Sequence, residues 1–165
     1  MRIKPTRDQV AEILEYDPVT GVLTWRVPPR THPRLLNQPA GSIARGYLTV
    51  KIDGRRYRGH HIAWLLTHGE WPNQEVDHRN LQRLDNRIVN LRLASPAQNQ
   101  ANKVRRLGKK TAKGVRPLIS GNFSARIRVK GVLLSLGVFP SEQEASDAYM
   151  IAALNHYGEF ARQDK

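Results

Sequence analysis

The sequence predicts an α+β protein built from two small units, and three stretches point to it. Residues 76–99 read as strand, polar loop, strand and helix, and residues 47–68 read as a hairpin followed by a helix. After Asn102 the composition changes, and residues 114–165 read as three antiparallel strands packed on one helix.

From the start of the chain, Thr6 with Gln9 makes a capping box, and Val10, Ile13 and Leu14 fall on one helical face. Asp17-Pro18-Val19-Thr20-Gly21 breaks that helix and turns the chain into the short strand Val22-Leu23-Thr24-Trp25. Residues 27–39 hold four prolines and little periodicity, so they read as a loop, with Arg26, Arg30 and Arg34 as solvated cations around it. Tyr47 to Ile52 alternates, with Leu48, Val50 and Ile52 on one face. Asp53-Gly54 is a hairpin signal, because both central residues of a type I′ turn need positive φ, and Arg55 to Gly59 is the return strand. His61 to Leu66 begins an apolar helix that stops at His68-Gly69 and backs the strands that follow.

Val76-Asp77-His78 ends a strand, and Arg79 to Arg87 is too rich in Asn, Asp, Gln and Arg to be core. Ile88 to Leu93 reads as the next strand. Ser95 suits a helix N-cap and Pro96 the first helical position, which puts Asn99 on the first turn or so.

Between Lys103 and Lys130 there are ten lysines and arginines and no acid. Residues 103–113 read as a basic linker, with Lys109 and Lys110 able to lie along a phosphate backbone. In the strand that follows, Phe123, Ala125, Ile127 and Val129 alternate with Ser124, Arg126, Arg128 and Lys130, giving one apolar and one basic face. Lys130-Gly131 turns the chain into a strand from Val132 to Phe139. Ser141 with Glu144 opens a helix whose inner side carries Ala145, Ala148, Tyr149, Ala152 and Ala153, and Gly158 ends it.

The chain of 165 residues has a net charge of +13 and 39% hydrophobic residues. Such a basic excess favours a polyanionic partner, since cations that neutralise phosphates release condensed counterions. There is no cysteine, which excludes disulfides, thiolate catalysis and cysteine-based zinc sites. His60, His61 and His68 alone make a weak case for zinc, so no zinc site is expected. A thiol-free chain suits a reducing cytoplasm. No apolar run reaches the length of about 18 residues that a membrane span needs, and the first residues lack the apolar core of a signal peptide.

Asp77, His78, Asn90 and Asn99 are the polar punctuation of residues 76–99. A carboxylate, an imidazole and an amide oxygen are the parts of a site that holds one hard cation and activates one water. Oxygen ligands suit a magnesium-like ion, and a neutral His can take a proton from water near pH 7. That is the toolkit of phosphodiester hydrolysis.

The words VDH, LDNR, NLR and QN, in this order, resemble the HNH endonucleases, in particular the phage and intron-encoded homing type, over roughly residues 10–103. YDPVTGVLTW is similar to the lead-in of phage members. The resemblance implies a ββα-metal nuclease core at about 45–102, within an N-terminal region of 1–102. It implies His78 as general base, Asp77 and Asn99 as ligands of a divalent ion (Mg2+, with Mn2+ as the alternative), and Asn90 as the brace that orients His78. His61 and Asn86 are implied as supporting neighbours. Where the family usually has a glycine turn this chain has Arg79-Asn80-Leu81-Gln82.

Residues 114–165 resemble the plant ethylene-response-factor (APETALA-type) DNA-binding domain, through Gly114-Val115-Arg116, Phe123 to Ile127, Leu136 to Phe139, Glu144 to Tyr149 and Tyr157 to Ala161. Phe123 stands where that family usually has tryptophan. The resemblance implies Arg116, Arg126 and Arg128, with Lys130 beside them, as DNA contacts. Together these readings give a homing-type DNA endonuclease of a phage-infected cytoplasm, cutting double-stranded DNA as monomer or homodimer to leave 3′-hydroxyl and 5′-phosphate ends. The alternative is a non-cleaving DNA-binding regulator on a decayed nuclease scaffold.

Overall fold

A computed structural model describes residues 4–103 and 111–162, in two compact units, 1–94 and 95–165. Lys109 and Lys110 lie outside the described residues. The protein is α+β, with small antiparallel sheets and short helices.

In the first unit, helix α1 (Arg7–Ile13) starts at the expected capping box, with both reciprocal bonds formed at 2.9 and 3.3 Å. Leu14 does not continue the helix. It opens strand β1 (Leu14–Tyr16), where it pairs with Trp25 of β2 (Leu23–Trp25), because extended backbone there buries both side chains in one core. The turn between these strands is tied by Asp17, whose carboxylate accepts from the Val19 N–H at 2.8 Å and the Thr20 hydroxyl at 2.7 Å.

A three-stranded sheet follows in the order β3 (Ser42–Ala44), β4 (Tyr47–Ile52), β5 (Arg55–Arg58). The Asp53-Gly54 turn has φ of 47° and 81°, as its type requires. Helix α2 (Gly59–His68) begins two residues before the apolar run and ends at Gly69. It serves two cores. Ile62 and Leu65 pack with Val10, Leu14, Leu23, Trp25 and Val50, while Ala63 packs with Val76 and Leu91.

Strands β6 (Glu75–His78) and β7 (Leu91–Ala94) pair antiparallel, with Asp77 opposite Arg92 and His78 opposite Leu91. The strand expected from Ile88 is shorter than its apolar pattern. Ile88–Asn90 forms a 3-10 turn closed by the Asn90 N–H on the Arg87 carbonyl at 2.9 Å, since the Asn90 side chain is engaged in the loop before it.

The second unit opens with α3 (Pro96–Asn102), capped by Ser95 and Gln98. The sequence had put this helix at the end of the nuclease region. In the structure it groups with the later residues, because the Lys113 ammonium donates to the carbonyls of Gln100, Ala101 and Lys103 at 3.1, 2.6 and 3.1 Å. The sheet has the order β10 (Val132–Phe139), β9 (Phe123–Val129), β8 (Val115–Pro117), and α4 (Glu142–Tyr157) covers one face with Ala145, Tyr149 and Ala153. Lys130 leaves the strand, since Lys130-Gly131 is a two-residue turn with φ of 48° and 86°. Ser141 caps α4, but the Glu144 carboxylate accepts from the Ser141 hydroxyl, so the expected box is closed side chain to side chain.

Gly21 links the lead-in to the loop between β6 and β7. Its φ is 76°, and a Cβ there would stand 2.5 Å from the Arg87 nitrogen and 2.7 Å from the Asn86 carbonyl carbon. Left-handed strain and overpacking add, so Gly21→Ala is expected to cost about 2 to 4 kcal/mol in urea unfolding.

Candidate active site

The end of β6 presents two buried polar residues side by side, Asp77 and His78, with 6% and 5% of their surface exposed. The Asp77 Oδ2 accepts from Arg92 Nε at 3.0 Å, and both side chains are nearly out of water. Strand register makes that pair, because Asp77 and Arg92 are direct cross-strand partners.

His78 Nε2 lies 3.3 Å from the Asn86 Oδ1. A carboxamide oxygen only accepts, so in this contact Nε2 carries the proton. Burial pulls the imidazole below its usual pKa, against the Asn86 bond and the Asp77 charge, which pull upward. The ring is therefore neutral at pH 7.

The loop behind His78 is polar and fully braced. Asn90 Oδ1 accepts from the Asn80 N–H at 3.0 Å, and its Nδ2 donates to the Asp85 carbonyl at 2.9 Å. Asn80 Nδ2 donates to Asp85 Oδ2 at 2.7 Å, and Arg87 holds the same carboxylate with Nε at 2.7 Å and a terminal nitrogen at 2.6 Å. That guanidinium takes the Asp85 pKa down to about 2. Leu81 adopts φ of 65°, so the chain keeps a left-handed turn without glycine. Asn90 thus ties Asn80 to Asp85 across the loop, while the amide that meets His78 is that of Asn86, only 2% exposed. Tyr16 secures the Asn86 carbonyl through its hydroxyl at 2.7 Å.

On the other side, the ring that meets His78 is His60, edge-on at 4.9 Å, with His61 edge-on to His60 at 4.6 Å. His61 is thus one ring removed from the place expected for it, and His60 was missed. The signal was the helix start. With Gly59 as first residue, His60 turns inward and is 4% exposed. Its Nδ1 is buried with no hydrogen-bond partner among the described residues. Burial takes the His60 pKa down to about 2 and that of His61 to about 4. Tyr47 completes the wall, its ring 5.4 Å from His60 and 6.2 Å from His78.

Asn99 lies on α3 in the second unit, its N–H on the Ser95 carbonyl at 2.9 Å. Among the described residues no group of three or more His, Cys, Asp or Glu side chains is arranged to hold a metal by itself. On the second sheet, Arg116 and Arg126 share the face turned away from Ala125 and Ile127 with Arg128, whose guanidinium donates to the Gly131 carbonyl at 2.6 Å. No helix among the described residues is long and apolar enough to cross a membrane.

Residues 57–101 match the family model described as HNH endonuclease. Over that stretch the chain is similar to the HNH endonucleases. The match takes in Arg58, His60, Asp77, His78, Asn86, Asn90 and Asn99, and HNH nucleases generally use a divalent metal ion. The chain is 34% identical over 121 residues to a protein of Acanthamoeba polyphaga mimivirus named as an uncharacterized HNH endonuclease, covering 73% of this chain. It spans 63% of the length of that relative. No solved structure gives a significant match.

Two outcomes follow from this geometry. Asp77→Ala leaves the Arg92 charge buried and is expected to lower stability by about 3 to 5 kcal/mol in urea unfolding. Below about pH 6.5 the unfolded chain binds a proton at His60 that the folded chain refuses, so stability is lost as pH falls, by about 1.4 kcal/mol per unit. Unfolding between about pH 7 and pH 5 should show that loss, and His60→Phe should remove its share while the share of His61, held down to about 4, remains.

Proposed function

We propose that the protein is a metal-dependent endonuclease that hydrolyses phosphodiester bonds of double-stranded DNA. The observation that carries the reading is a neutral imidazole, His78, held by Asn86 beside the Asp77 carboxylate within a matched HNH domain. His78 takes the proton from the attacking water at Nδ1 while Asn86 keeps Nε2 oriented. Asp77 and, by the family pattern, Asn99 hold the ion, for which Mg2+ fits first and Mn2+ second. The ion supplies charge neutralisation at the phosphate and at the leaving oxygen.

The second unit binds DNA in this reading. Its support is the shared face of Arg116, Arg126 and Arg128, with Lys130 at the exposed turn, and the basic run holding Lys109 and Lys110. A strand pair of this kind suits the major groove, whose base edges it can read. Sequence-directed cutting of the homing type follows from joining the two activities.

The burial of Asp77 against Arg92 is the one observation that favours a non-cleaving DNA-binding protein instead. Incubation of supercoiled plasmid with the full chain and magnesium separates the two. Cutting that EDTA stops and that His78→Ala lowers by about 100-fold or more supports the nuclease. Cutting that survives His78→Ala removes the assigned base, and binding without cutting in magnesium or manganese favours the regulator.

A further inference from the structure

We infer that Arg58 and Arg83, gathered over the ring of Tyr47 beside His78, form a clamp for a backbone phosphate of DNA next to the bond that is cut. The inference rests on the nuclease reading above and names where that site would hold its substrate. The Arg58 guanidinium carbon stands 4.1 Å from the Tyr47 ring centre and that of Arg83 stands 4.9 Å from it. The same ring lies 6.2 Å from that of His78.

Three separate elements bring these groups together. Tyr47 begins β4, Arg58 ends β5 at the start of α2, and Arg83 comes from the loop between β6 and β7. Neighbouring arginines of the unit have carboxylates: Arg26 has Glu15, Arg87 has Asp85 and Arg92 has Asp77. Arg58 and Arg83 have no carboxylate partner among the described residues. Two like charges on one ring repel, and a cation–π contact at an exposed site offsets little of that. An anion between or beside them removes the repulsion. A phosphodiester suits the guanidinium fork, which binds two oxygens at once.

The sheet extends the clamp into a track. Tyr47, Thr49 and Lys51 alternate on the face of β4 opposite buried Val50 and Ile52, with Arg58 across from Thr49 and Arg56 across from Lys51. A strand of DNA leaving the clamp along β4 meets Lys51 and Arg56 next.

Binding of a short random-sequence duplex is measured over a salt series on the His78→Ala chain, with and without Arg58→Gln and Arg83→Gln. Each removed phosphate contact should reduce the slope of log affinity against log salt by about 0.9. In the cutting-competent chain the double variant should lower plasmid kcat/KM by about tenfold or more. Tyr47→Leu, which changes no charge, should lower it as well, while Tyr47→Phe should keep it. Arg83→Gln alone, at an exposed position, serves where the double variant unfolds early. An unchanged salt slope with unchanged cutting overturns the clamp and leaves the nuclease reading intact. A reduced slope in a chain that never cuts DNA keeps the clamp as a phosphate site and overturns the nuclease reading.

Discussion

The side-chain amide of Asn90 is the constraint on which the site depends. The excursion from β6 to β7 buries little apolar surface, so it has to be held by hydrogen bonds. An amide can accept with one atom and donate with the other, which an ionised carboxylate cannot do. Asn90 uses both, toward the Asn80 N–H and the Asp85 carbonyl, and Asp85 then gathers Asn80 and Arg87. The N-terminal hairpin closes the other side. Tyr16 takes the Asn86 carbonyl, Pro18 accepts from the Ile88 N–H, and Gly21 lets the Asn86–Arg87 backbone pass against it. Asn86 arrives at His78 from a position fixed at both ends.

Asp77 lives under two demands. Its carboxylate balances a buried arginine, so removing it disturbs the β6–β7 pair, and it also stands next to the imidazole proposed as base. A loss of activity in an Asp77 variant therefore carries a folding component, whereas a change at Arg58 or Arg83 acts from the edge of the unit. The ring cluster behind His78 differs in kind. His60 is kept neutral by burial and contributes shape at the wall of the site.

Local chemistry was legible in the sequence because neighbours decide it. The Thr6–Gln9 box, the Ser95-Pro96 helix start, and the turns at Asp53-Gly54 and Lys130-Gly131 each depend on residues a few positions apart. Asp77, His78 and Asn90 were legible as a set of words. Register and facing were not. That Asp77 meets Arg92 follows from how β6 pairs with β7, and that His60 rather than His61 faces His78 follows from where α2 begins, since one residue rotates a helical side chain by about 100°. Strand β3, three residues long and at a sheet edge, is too short to show a period. The Ile88 run looked like strand because its apolar residues gave no sign that Asn90 was already committed to the loop.

Lys113 has a consequence for anyone who would divide this chain. Its ammonium sits on the last carbonyls of α3, where a cation also complements the helix dipole, although α3 carries Asn99 and lies within the residues matched to the HNH family. A fragment ending at Asn102 keeps the helix and discards its cap, and one ending at Ala94 discards the helix. A shortened version that keeps Asn99, the fourth residue of α3, on a helix with its end still held has to run past Lys113.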